Sequence, residues 1–420
     1  MSFHCIKEKL NILADAANMM GRSDSSGSIR QNLNKDLGDS SGIGICNSNT
    51  KDGPYVSLLK ILLTNHCIFD CAYRVTRKSS DIKRAAFKIK EALDLTINFY
   101  RRNYIEGLFL SSGIFKSADY SMERLIAVAK KLRLEEKFNG YIQLKSIPGA
   151  NDELMREADL YADRLSVNIE VRTISDLKLL APDKKHEDFI KPMLKVKNEI
   201  IQYKAEKQII KSTPQYARAA RCTQMIIGAT SESDKDIMYS AAHYYKNCNM
   251  KQVYYSGYVP VADDSRLRVI GTEVPMLRKN RWYQTDWLLR FYGFSVEEIL
   301  NTNHPNLDID VDPKLGWALR NLNHFPINLN TAESRILARI LGLGMYLLQK
   351  IIQARKFRRL KWGHLKKIGV VLDLTKYFMI CDTKNYHHND LQAAEIINFI
   401  LKNSQGKFRN NYSSQLLLFN

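Results

Sequence analysis

Val56-Ser57-Leu58-Leu59-Lys60-Ile61-Leu62-Leu63-Thr64 runs without a break into Asn65-His66-Cys67-Ile68-Phe69-Asp70-Cys71-Ala72-Tyr73-Arg74. An apolar run of this kind, without alternation and bounded by polar turn residues, reads as a strand buried on both faces, as in parallel sheets. Five further short β-branched or apolar runs follow, the fourth strand alternating apolar with polar residues: Ile105 to Ser111, Gly140 to Lys145, Arg164 to Ile169, Thr223 to Ile227 and Gln252 to Tyr258. Helical stretches such as Ile82 to Arg102 and Ser121 to Lys137 lie between them, with basic residues on their polar sides. Strands alternating with helices predict repeated βα units. Six units are too few to close an eight-stranded barrel, so the expected fold is α/β, an open, partial (β/α)6 TIM-type barrel. Its site belongs on the loops after the strands, where such barrels carry their chemistry.

The chain has 420 residues, with 63 Lys and Arg against 44 Asp and Glu, a net charge of +19. That balance favours a polyanionic partner, nucleic acid first and an anionic membrane surface second. The membrane reading weakens because no run approaches the roughly 18 apolar residues a span needs and the N-terminus has no apolar signal core. A cytoplasmic location is expected. Seven scattered cysteines without a secretion signal argue against a disulfide framework. Cys5, Cys222, Cys248 and Cys381 read as small buried hydrophobes. Cys67 and Cys71 stand apart because they share one loop at the end of a strand.

Five segments follow. Residues 1–54 form a polar leader with a short helical pattern at Lys7 to Met20, expected to wrap the surface without a core of its own; residues 55–274 form the barrel, and residues 275–313 a connection that holds a helix at Asp286 to Tyr292. Residues 314–372 form a small all-α module and residues 373–420 a C-terminal helix with a polar tail. The module holds 12 Lys or Arg and one Glu, so more than half of the chain's excess charge is concentrated there.

The loop resembles the radical S-adenosylmethionine (SAM) superfamily, whose signature on the loop after the first barrel strand is C-x3-C-x-aromatic-C. Cys67, Cys71 and Tyr73 occupy three of those four positions, and the fourth is Arg74. The resemblance implies a 4Fe-4S cluster held by three thiolates, with its fourth iron open to chelation by SAM, whose cleavage gives a 5′-deoxyadenosyl radical. A guanidinium is permanently cationic and has no lone pair to offer, so Arg74 cannot be the third ligand. Three explanations stand: a single-base change or sequence error in an active lineage, loss of the chemistry with DNA binding retained, or a ligand supplied by Cys46. A chance C-x3-C pair is the bland alternative.

Other strand ends carry candidate cofactor contacts by the same resemblance. Ser111, Ser112 and Gly113 match a glycine-rich motif whose backbone meets the SAM amino group, although Ser and Gly also serve in ordinary strand-to-helix turns. Asn168 and Glu170 would face into the barrel and bond the SAM ribose or a substrate hydroxyl, or be satisfied polar residues at a strand end. Gly228, in Met225-Ile226-Ile227-Gly228-Ala229-Thr230, resembles the adenine-contacting strand in part.

The whole chain resembles one bacterial family of radical SAM proteins assigned to DNA modification or repair. The resemblance rests on Ile12-Leu13-Ala14-Asp15-Ala16-Ala17, on the Val56 to Lys60 strand, on Phe99 to Gly113 and on Tyr161 to Glu170. It implies the partial barrel, the cluster, SAM and a DNA-related role. The chain departs from that family also at Pro54-Tyr55 and in Met19 to Ser26, where further cysteines are expected.

In the basic module, Asn330 reads as an N-cap with Glu333 at the third helical position, opening a helix that runs to Leu341. Leu341-Gly342-Leu343-Gly344 and a second helix from Met345 to Lys356 complete a likeness to a helix-hairpin-helix. Gly342 and Gly344 allow a tight hairpin whose N–H groups meet a DNA phosphate at the second helix's N-terminus, without sequence readout. Lys350, Arg355, Lys356, Arg358 and Arg359 add backbone attraction. Leu348 stands where a small residue is usual, and a looser helix packing is expected there. Leu365 to Val371 reads as a weaker second copy. At the C-terminus, Gln415, Leu416, Leu417, Leu418 and Phe419 resemble the pentapeptide that binds the bacterial sliding clamp; folding back onto the barrel is the alternative. A catalytically inactive DNA-binding or clamp-recruited protein is the rival function, and radical chemistry on RNA or protein a third.

Overall fold

The computed structural model describes residues 3–19, 45–49, 55–185, 187–188, 221–259, 264, 266–267, 274–381 and 395–396. The clamp-like pentapeptide at 415–419 lies outside these residues, as does the side chain of Cys46. The chain divides into two compact units, one of Met1–Glu232 with His243–Val274 and one of Ser233–Ala242 with Pro275–Asn420.

The first unit contains one seven-stranded sheet in the order β1 (Ile45–Asn49), β2 (Tyr55–Leu62), β3 (Gly107–Ser111), β4 (Tyr141–Lys145), β5 (Arg164–Ser166), β6 (Arg221–Ile227), β7 (Gln252–Gly257). From β2 to β7 every neighbouring pair is parallel, which makes the six-stranded open barrel. The crossovers among the described residues run through α2 (Ile89–Arg101), α3 (Ala118–Leu134), α4 (Asp152–Tyr161), α5 (Ile174–Leu180) and, between β6 and β7, α6 (Asp234–Asn247). Leu58, Leu59, Ile61 and Leu62 of β2 and Leu108 and Leu110 of β3 are all fully buried. Such unbroken apolar strands are stable only with both faces covered.

Two features lie outside the sequence expectation. β1 adds an antiparallel edge strand, Ile45 opposite Leu59 and Asn49 opposite Tyr55, although Ile45-Cys46-Asn47-Ser48-Asn49 is polar and lacks a β-branched run. The pairing supplies what the propensity does not. The first helix, α1 (Phe3–Met19), buries Leu10, Leu13, Ala14 and Ala17, so the leader contributes to a core rather than only covering a surface. α2 begins seven residues later than Ile82, because Ile82 to Lys88 returns along the end of β2: Phe87 N–H donates to the Leu63 carbonyl at 2.8 Å.

The second unit is mainly helical. Asp234 is its buried hub: its carboxylate accepts from Trp282 Nε1 at 2.6 Å, Arg278 Nη2 at 3.0 Å and the Leu307 amide at 2.7 Å. The helix read at Asp286 to Tyr292 belongs to a longer one, Met276–Phe291. A helix at Pro313–Arg320 is capped by Asp312, and Ile327–Asn328 pairs in parallel with Met379–Ile380. Helices at Ser334–Leu337, Met345–Arg355 and Trp362–Ile368 follow.

Candidate functional site

The cysteine loop is fixed by its own chain before anything binds to it. Asn65 clamps its two ends together, donating from Nδ2 to the Lys83 carbonyl at 2.8 Å and accepting from the Ala85 amide at 2.8 Å. The Arg84 guanidinium donates to four loop carbonyls, those of Asn65, Thr76, Arg77 and Ser80. Asp70 caps the Ser79 amide at 3.0 Å, and the Ser79 hydroxyl and amide together hold the Asp70 carboxyl below its ordinary pKa. The loop also leans on its neighbours through Ile68 N–H to the Ile114 carbonyl and Ala72 N–H to the Leu180 carbonyl, at 2.8 and 2.7 Å.

Gly113 makes that approach possible. A Cβ there would lie 2.2 Å from the His66 carbonyl oxygen, and its own amide donates to the Thr64 carbonyl at 2.8 Å. The need for glycine at this position is therefore a close backbone contact between the loops after β2 and β3.

These loops meet around one cavity at the C-terminal end of the sheet, lined among others by Cys67, Cys71, Arg74, Ser112, Lys145, Asn168, Glu170 and Lys184. About 20 Å³ is free inside it, room for roughly one water. Glu170, 2% exposed, sits at its centre. One carboxylate oxygen pairs with the Arg74 guanidinium, while the other pairs with Lys184 Nζ and accepts from the Tyr73 hydroxyl at 2.6 Å. Lys184 Nζ also approaches that hydroxyl at 3.3 Å. Glu170 holds a left-handed backbone, φ +63°, which is costly for a residue with a Cβ and persists where the surroundings over-determine it. The network and the bridge from Glu170 to Met225 of β6 do so here.

Burial sets the electrostatics. It raises the Tyr73 phenol well above its usual pKa, with the Cys71 sulfur adding to the effect. It lowers Lys184 to about 8, against the opposing influence of Cys71. It holds Lys145 well below the ordinary amine range, helped by the charges of Arg74, Lys184 and Lys60. The Arg74 guanidinium and the Lys184 ammonium therefore face two thiols and one carboxylate, with Lys145 beside them as an amine whose charged form burial disfavours.

Of the residues singled out from sequence, Cys67, Cys71, Ser112, Asn168 and Glu170 line the cavity, and Tyr73 reaches it through Glu170. Asn168 is engaged internally, accepting from Ser166 Oγ at 2.7 Å and donating to Gln224 Oε1 at 2.8 Å. Ser111 is buried and does not line the cavity. Nor does Gly228, which packs against Val274 instead. Lys145 and Lys184 were not anticipated. Lys145 was visible as the last residue of a strand, but Lys184, in Ala181-Pro182-Asp183-Lys184, carries no local signal.

The donor set does not fit a cluster held by three cysteines. Two thiols remain, the third position holds a guanidinium paired to a buried carboxylate, and two lysines stand beside it. No group of three or more His, Cys, Asp or Glu able to hold a metal ion occurs among the described residues. Cys222, Cys248 and Cys381 are buried, as expected of packing residues.

In the second unit, Gly342 is left-handed (φ +77°) and Gly344 caps the Met345–Arg355 helix, so the two glycines form a tight turn between helices. Lys314, buried, donates from Nζ to the Leu343 carbonyl between them at 3.0 Å and lies 4.6 Å from the Tyr292 ring centroid. The first helix is shorter than expected: it spans Ser334–Leu337 with Glu333 at its N-cap. Asn330 instead donates to the Leu360 and Cys381 carbonyls and accepts from the Leu360 amide. Leu348 is 1% exposed, its side chain buried on the inner face of the helix. Lys350 and Lys356 are exposed, with Lys350 Nζ 4.3 Å from the Tyr346 ring centroid. Arg355 is committed inward, donating to the Leu329 and Ala332 carbonyls at 3.0 and 2.6 Å. The weaker second copy is a helix, Trp362–Ile368, ended by left-handed Gly369. No described helix is long and apolar enough to cross a membrane.

No family model and no curated protein matches the chain. Among solved structures it is similar to HydG, a maturase of the [FeFe]-hydrogenase, at 12% identity and a TM-score of 0.37, over 54% of this chain and 47% of that one. It thus spans about half the length of that HydG chain. It is similar to methylornithine synthase, PylB, at 10% identity and a TM-score of 0.40, over 66% and 67% of the two chains. A third likeness is to the radical S-adenosylmethionine methyltransferase TsrM from Kitasatospora setae, at 11% identity and a TM-score of 0.33, over 84% and 59%.

Proposed function

We propose that this chain is a radical SAM-type protein of DNA modification or repair whose barrel, with Arg74 in place of the third cysteine, makes no radical. In this reading the loop after β2 is the cluster loop, the strand ends around Ser112, Asn168 and Glu170 are the SAM side of the cavity, and the Gly342–Gly344 turn is a helix-hairpin-helix that meets DNA phosphate. The observation that carries it is the convergence of Cys67, Cys71, Ser112 and Glu170, from loops after β2, β3 and β5, on one cavity at the strands' C-terminal ends. That is where partial barrels place their chemistry.

The silence of the barrel follows from the donor set. A guanidinium cannot ligate iron, and the Arg74–Glu170 pair leaves a cation where a thiolate is required. The chain's remaining capacity is to bind DNA through a module rich in positive charge. A role at the sliding clamp through Gln415 to Phe419 is compatible with this reading.

The test is a restoration. After anaerobic reconstitution, Arg74→Cys incubated with SAM and a strong one-electron reductant releases 5′-deoxyadenosine, and the native chain does not. If neither releases it although Arg74→Cys folds as the native chain does, the descent assigned to the barrel is wrong.

A further inference from the structure

Phe357 is 88% exposed, the most exposed of the large hydrophobic side chains described. It sits in Lys356-Phe357-Arg358-Arg359, all four residues exposed, directly after the Met345–Arg355 helix. The loop is held at both ends. Phe357 N–H donates to the Ala354 carbonyl at 3.2 Å, and Leu360, buried, has its amide and its carbonyl both bonded to the Asn330 side chain. Arg355 anchors the preceding turn to the Leu329 and Ala332 carbonyls. The backbone around the exposed ring is thus tied down on either side.

The surroundings fix the sign of the partner. Residues 334–372 contain ten Lys or Arg and no Asp or Glu. An apolar protein partner would have to desolvate Lys356, Arg358 and Arg359, whereas a nucleic acid neutralises them and offers a base to the ring. Backbone phosphates alone give Phe357 nothing to contact. An unstacked base does, because every base has a face on which an aromatic ring can stack. The helix that separates Gly344 from this loop has 11 residues, about 16 Å of rise, so the glycine turn and the ring address points a few nucleotides apart. Tyr346, 61% exposed at the start of that helix, offers a second ring beside the glycine turn.

We infer that Phe357 is a base-stacking residue, and that the preferred ligand of this module is DNA with unstacked bases, a single strand or a strand junction, rather than intact duplex. The inference rests on the DNA-binding reading above and narrows it.

Fluorescence anisotropy on the full chain tests it, with a labelled 12-nucleotide oligothymidine and an intact hairpin duplex as probes. Native protein binds both, and the oligothymidine more tightly. Phe357→Ala weakens the oligothymidine complex about 5- to 150-fold, leaves the duplex within about twofold, and keeps the slope of log K against log salt, since no charge is lost. Phe357→Trp retains affinity, and its added emission is quenched by the oligothymidine. Equal affinity of native and Phe357→Ala for oligothymidine, or an equal loss on both probes, overturns the stacking role while leaving DNA binding intact. Failure of native protein to bind either probe overturns the DNA reading itself.

Discussion

Replacing Glu170 by Gln removes the one carboxylate that faces Arg74, Lys184 and the Tyr73 hydroxyl in the barrel cavity. Breaking a buried ion pair from one side costs about 3–5 kcal/mol, because the partner charge stays buried. Here the lower end applies, about 3 kcal/mol at pH 7. Lys184, already lowered to about 8, can shed its proton once the carboxylate is gone, whereas Arg74 cannot. For a unit of this size that corresponds to a fall in Tm of roughly 6–10 °C. Arg74→Met should cost less, about 1 kcal/mol, since Glu170 keeps Lys184 and Tyr73. The double variant should then be no less stable than Glu170→Gln alone, giving a coupling energy of at least about 1 kcal/mol. Urea unfolding of the four proteins at pH 7 measures it. Additivity within about 0.5 kcal/mol would refute the claim that the Arg74 guanidinium is held by Glu170.

Three further outcomes are expected. Gly113→Ala drives a methyl onto the His66 carbonyl and should cost about 2 kcal/mol or more while shifting the cysteine loop; an unchanged Tm contradicts the close approach. Lys314 has a folded pKa of about 7 against an ordinary 10.5, so the unfolded chain holds more protons between those values and stability rises with pH across that window. Below about pH 7 both states are protonated and the penalty, on the order of 5 kcal/mol, is constant; Lys314→Met should lose the slope, and an identical slope in both proteins refutes the assignment. Lys350→Gln should weaken DNA binding evenly across sequences and reduce the salt slope by about 1, which a titration from low to moderate salt reads directly.

The barrel was legible because short apolar or β-branched runs alternate with helical stretches along the chain, most clearly in β2, which is buried from Leu58 to Leu62. The cavity was legible where chemistry sits at strand ends, as with Cys67, Cys71 and Glu170. What the sequence concealed depends on partners distant along the chain. β1 is polar and becomes a strand only by pairing with β2. Asn330 has the composition of an N-cap, yet its amide serves Leu360 and Cys381, 30 and 51 residues away. Arg355 looks like a phosphate contact in a basic run, but its direction is set by two carbonyls that no local pattern announces. Lys184 reaches Glu170 from a loop with no motif, and it alters the charge of the site as much as Arg74 does.

Iron and acid-labile sulfide counted per chain after anaerobic reconstitution separate a silent barrel from a working one. Native protein should hold no four-iron cluster, and Arg74→Cys should take up about four irons and four sulfides. A native chain that loads to the same level as the variant would contradict the assignment of Arg74 as the residue that closes the site.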